Sequence, residues 1–97
     1  MLRFQVKISV EGLQHIDALA VLNSFIHSVR AKYGLGICED TYSGSLSDQQ
    51  AATHAEIVIS VPFAERESVR IDYNIFAAQF EADHPEEPDV YFRMESV

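Results

Sequence analysis

The chain has 97 residues, 47% of them hydrophobic and 23% charged, which provides for one hydrophobic core and so for a single domain over residues 1–97. No apolar run approaches the ~18 residues of a membrane span, and the amino terminus alternates polar with apolar residues where a signal peptide is continuously apolar, so a cytoplasmic chain without a membrane partner is expected. Fifteen acidic residues against seven Lys and Arg give a net charge of −8, which disfavours direct nucleic-acid binding because affinity for a phosphate backbone comes largely from basic side chains.

Leu2, Phe4, Val6, Ile8 and Val10 alternate with Arg3, Gln5, Lys7, Ser9 and Glu11, and this period of two predicts a first strand with one buried face. From Leu13 the period lengthens. Ile16, Leu19, Leu22, Ile26, Val29 and Tyr33 recur at steps of three and four, which predicts a helix over 13–33 with one stripe against a core. Arg30 and Lys32 suit the negative end of its dipole, and Gly34 followed by Leu35 is a C-terminal cap signal. Ile37 to Tyr42 reads as a second strand, and the small and polar residues 43–50 as a loop. Glu56 to Val61, rich in β-branched residues and followed by Pro62, reads as a central strand.

The next segment fits two periods. Val69, Tyr73, Phe76, Ala77 and Phe80 share a helical face, yet Val69, Ile71, Tyr73 and Ile75 alternate with Arg70, Asp72 and Asn74 as in a strand. Helix formers on both sides, at 63–67 and 77–82, favour the helix. Residues 69–76 as an extra strand are the alternative. Asp89 to Val97 then closes the chain as a strand with Val90, Phe92 and Met94 on one face. The resulting order, βαββαβ, is that of an α+β ferredoxin-like two-layer sandwich, an antiparallel sheet with two helices on one face.

Few side chains have the spacing of a chemical site. His15, His27, His54 and His84 show neither the i, i+4 pairing of a metal-binding helix nor a zinc-finger arrangement, so no metal is expected. Cys38 stands alone, which fits a reducing compartment, and the adjacent Glu39 and Asp40 would raise its thiol pKa, against the needs of a nucleophile. The four glycines form no phosphate-binding loop, and no cofactor is expected.

The charge is unevenly placed. Residues 1–36 set Arg3, Lys7, Arg30 and Lys32 against Glu11 and Asp17, whereas residues 37–97 carry 13 acids against Arg66, Arg70 and Arg93. Glu81, Asp83, Glu86, Glu87 and Asp89 form an acidic run that Pro85 and Pro88 stiffen, and it predicts a ridge of carboxylates for a basic protein partner. The expected function is a non-enzymatic acidic binding protein acting by protein–protein contact, in its strongest form an inhibitor of a basic nucleic-acid-handling protein. A homodimer would supplement the thin stability of so small a core. The alternative is a small-molecule sensor or small enzyme with a pocket at the sheet–helix or dimer interface, lined by Tyr42, His54, Tyr73 and Tyr91. The remaining surface for contact is the open face of the sheet around Lys7, Val58, Ser60, Tyr91 and Arg93.

Overall fold

The computed structural model describes residues 2–33, 38–45 and 53–97, the middle segment by its backbone only. The elements run β1 (Arg3–Glu11), α1 (Ala18–Tyr33), β2 (Cys38–Ser45), β3 (His54–Pro62), α2 (Arg66–Asp83) and β4 (Tyr91–Ser96). All strand pairs are antiparallel, in the spatial order β2-β3-β1-β4. This is the βαββαβ ferredoxin-like layout. Each helical crossover returns the chain two strand positions away, with an oppositely directed strand filling the gap.

The alternation in β1 works as its sequence predicts. Val6, Ile8 and Val10 are buried, and they face Ile59, Ile57 and Ala55 across the β1–β3 ladder, with Val61 completing the row. Both helices cover this face. From α1 come Ala18, Val21, Leu22, Phe25, Ile26 and Val29, and from α2 come Val69, Tyr73 and Phe80, joined by Leu13 and Val90 from the loops. Aromatic rings fill the space between the helices and β4. Phe25 meets Tyr73 edge-on at 4.8 Å between centroids, and Phe92 meets Tyr73, Phe76 and Phe80 at 5.9, 6.0 and 5.5 Å.

The helix expected over 69–76 is present, which sets aside the alternative of an extra strand, and three other sequence expectations need correction. Residues 69–76 lie inside the eighteen-residue α2, which buries Val69 and Tyr73 and turns Ile71 and Ile75 to solvent at 49% and 62% exposure. The first helix begins at Ala18, not at residue 13, because the backbone N–H groups of Gln14 and His15 are bound by the Glu87 carboxylate, and the first helical bond runs from Val21 N–H to the Asp17 carbonyl. Residues 43–45, expected in a loop, extend β2 and pair with Glu56, Ala55 and His54. The third strand reaches two residues further back than Glu56, to His54. A register shift between Glu39 and Thr41 marks a bulge in β2. The cap expected from Gly34 and Leu35 lies outside the described residues, as do residues 46–50 of the expected loop.

Helix α2 starts through a 3-10 turn at Phe63–Glu65, set by Pro62 at the end of β3. It stops at Asp83 because Pro85 follows. His84, the residue before that proline, leaves the helical region at φ −128°, ψ 67°, while its N–H still reaches the Phe80 carbonyl at 2.9 Å.

Candidate acidic contact site

The acidic run occupies the last turn of α2 and the loop to β4. Glu81, Asp83, Glu86 and Asp89 are exposed. Glu81 and Asp83 sit at the negative pole of α2, whose last turn holds no basic residue, so the helix dipole and both carboxylates add to one negative potential. Asp83 Oδ1 accepts a 3.0 Å hydrogen bond from the Gln79 amide. Glu86 lies 3.0 Å from His84 Nδ1, and its own backbone N–H, followed by that imidazole, holds its carboxyl below the usual range. The His84 ring rests on Phe80 with centroids 4.3 Å apart, which fixes the start of the loop.

Glu87 does not belong to the ridge. It is 2% exposed, and its two carboxylate oxygens accept from the backbone N–H groups of Gln14, at 2.7 Å, and His15, at 2.6 Å, with the His15 ring at 3.2 Å. Burial pushes this carboxyl up, but the two N–H donors and the imidazole outweigh it and hold the pKa below the usual value. Glu87 therefore ties the loop before β4 to the loop before α1. Beside it, Gly12 adopts φ 85°, and a Cβ built there would collide with the Asp89 carbonyl. Of five predicted ridge residues, four are displayed and one is an internal clamp.

Among the described residues the predicted pocket does not come together. Tyr73 is buried between helix and sheet with its hydroxyl donated to the Ser9 carbonyl at 2.7 Å, and burial pushes its phenol pKa well up. The side chain of Tyr42 lies outside the described residues. His54 and Tyr91 line one shallow cleft of about 60 Å³ with Glu11 and Glu56, on the sheet face opposite the helices. That face is polar and largely self-paired: Lys7 lies 3.9 Å from Glu56 and 3.7 Å from Glu95, Arg93 lies 3.4 Å from Glu95, and Arg3 donates to Ser60 Oγ and O at 3.0 and 2.8 Å. Among the described residues no three His, Cys, Asp or Glu side chains come together as metal ligands would, and no helix is long and apolar enough to cross a membrane.

The sequence matches no protein-family model and no curated protein. Among solved structures the chain is similar to part of an aminoacylhistidine dipeptidase from Vibrio alginolyticus, with a TM-score of 0.88 at 13% identity over 98% of this chain and 21% of that one. It is also similar to part of a hydantoinase/carbamoylase family amidase from Burkholderia ambifaria, at TM-score 0.70 and 9% identity over 98% of this chain and 27% of that one. A de novo designed protein with a ferredoxin fold, LFR1 1, matches at TM-score 0.54 and 13% identity, over 99% of this chain and 85% of the design. The chain thus spans between a fifth and a third of the two natural enzymes, and at these identities the likeness establishes the ferredoxin-like fold.

Proposed function

We propose that the chain is a non-catalytic contact module that docks a basic protein surface through Glu81, Asp83, Glu86 and Asp89. The observation that carries this reading is four exposed carboxylates within nine residues, two on the last turn of α2, which holds no basic residue, and two in the loop that follows. A patch of one sign raises association rates with an oppositely charged partner and orients the encounter, while contributing little to folding. In its strongest form the partner is a nucleic-acid-handling protein whose basic surface the patch occupies. Peptide or amide hydrolysis, named for the two larger enzymes, is a weaker reading, since the chain corresponds to 21% and 27% of those proteins.

The test is affinity capture from the host lysate with the 97-residue chain as bait, at low and at high salt. Basic proteins retained at low salt should be lost at high salt, as the Debye length contracts. They should also be lost at low salt from a variant carrying Glu81→Gln, Asp83→Asn, Glu86→Gln and Asp89→Asn. An identical set of captured proteins with wild type and variant would sink the reading.

A further inference from the structure

The two helices meet through the aromatic layer but stand apart above it, leaving a cleft of about 350 Å³ toward the Asp83 end and another of about 280 Å³ toward Lys32. Phe76 and Gln79 line both, so the clefts are halves of one groove along the helix layer. Its floor is apolar, made by Val21, Phe25, Val29, Phe76 and Phe80. The α1 wall is low: Ala20, Ser24 and Ser28 follow at four-residue steps and present no long side chain. The α2 wall includes Ile75, one of the most exposed large apolar residues described. From Ala20 to Lys32 the groove runs about 18 Å at the helical rise, the length of a little over three turns of a docked helix.

The charge along the groove is asymmetric. At the Lys32 end, Asp72 accepts from Lys32 at 3.0 Å and from the Tyr33 hydroxyl at 2.6 Å, so the carboxylate is neutralised within the chain. At the other end Asp83 lines the cleft on the last turn of α2, where it accepts from the Gln79 amide and no lysine or arginine is present. A second copy of the chain fits poorly. Packed groove against groove, it would bring either its own acidic end or an already paired lysine to that carboxylate.

Resting on the contact reading above, we propose that this groove receives an amphipathic helix of a partner protein, its apolar face on Ile75, Phe76 and Ala20 and a Lys or Arg at one end against Asp83. This is the helix-in-groove mode, in which residues at i, i+3, i+4 and i+7 anchor the ligand. The ridge steers the basic partner, and the groove supplies the apolar area that holds it.

The probe is a helical peptide of about fifteen residues with leucines at the anchoring spacing and arginines at one end. Its twin carries glutamates in place of the arginines. Titrated into the isotopically labelled chain, the arginine peptide should shift the amides of Ala20, Ser24, Ser28, Phe76 and Gln79 and leave Lys7 and Val58 unmoved. It should bind about tenfold more tightly than its twin at low salt, with the difference shrinking at high salt. Ser24→Trp, which fills the groove from an exposed position, should weaken it about tenfold with an unchanged melt. Asp83→Lys should reverse the preference between the twins. Shifts on the open sheet face, equal affinities for the twins, or a dimer by sedimentation that Ser24→Trp dissolves would each overturn the proposal. An oligoarginine peptide without leucines separates the two readings. If it binds the ridge while the leucine peptide ignores the groove, the groove fails alone; if neither binds, the contact reading fails as well.

Discussion

Glu86 and Glu87 are identical neighbours in the sequence, between the same two prolines, yet one is exposed and the other is buried, accepting two backbone N–H bonds from the opposite loop. Nothing in residue type or spacing separates them. The difference arises from the loop before α1, where Gly12 at positive φ lets the chain pass the Asp89 carbonyl and aims two backbone N–H groups at one carboxylate. This clamp predicts a pH signature. A carboxyl whose pKa is lowered on folding stabilises the native state above its unfolded pKa, and that contribution is lost as pH falls through the lower folded value. Glu87→Gln should therefore melt below wild type at neutral pH, and the two melting curves should converge as the pH drops below the ordinary glutamate range. Thermal melts at several pH values measure this; a constant gap across the whole range would remove the ionised clamp from the account. Gly12→Ala tests the same corner, with a cost of roughly 1–2 kcal/mol from the left-handed backbone alone and more from the collision with Asp89.

At the scale of elements, β1 was legible because its period of two has no competitor, and α1 because only a helix brings Leu22, Ile26 and Val29 to one side. Its start was not legible: Leu13 and Ile16 keep the helical spacing but are packed from a loop whose N–H groups are bound elsewhere. In α2 both periods were present, and packing chose between them. A helix buries Val69 and Tyr73 with Phe80, donates the Tyr73 hydroxyl to Ser9, and of its large apolar residues leaves Ile71 and Ile75 exposed, whereas a strand would have needed a fifth position in the sheet. The groove had a sequence trace in Ala20, Ser24 and Ser28, small residues at every fourth position, whose meaning depends on a second helix that stands off from the first. Two substitutions state the consequence. Leu22→Ala, fully buried under α1, should cost about 2–5 kcal/mol in denaturant melts. Ile71→Lys, on the outer face of α2, should stay within about 0.5 kcal/mol of wild type. A large loss from the lysine would contradict the helical assignment, since it would place residue 71 in a buried row.

For the whole molecule the question is what a net charge of −8 does to a small domain, and how that charge divides between folding and contact. Two terms oppose each other when salt is added. Screening weakens the exposed ion pairs, such as Lys32 with Asp72 and Lys7 with Glu56 and Glu95, but solvent already screens such pairs and they contribute little. Screening also relieves repulsion among the acids, which are concentrated after residue 37 and, at the end of α2, add to the dipole instead of opposing it. With fifteen acids against seven Lys and Arg the excess of negative charge outweighs the pairs, so repulsion sets the sign. The melting temperature should rise between low and moderate potassium chloride, by a few degrees if about 1 kcal/mol of repulsion is relieved. The four-site variant should begin higher at low salt and respond less, because neutralising Glu81, Asp83, Glu86 and Asp89 removes the same repulsion by chemistry that salt removes by screening. Calorimetry of both proteins over a salt series checks it. A wild type that loses stability as salt rises would mean that the ion pairs dominate and that the ridge is part of the folding network. A shared positive slope would place the repulsion elsewhere on the acidic surface.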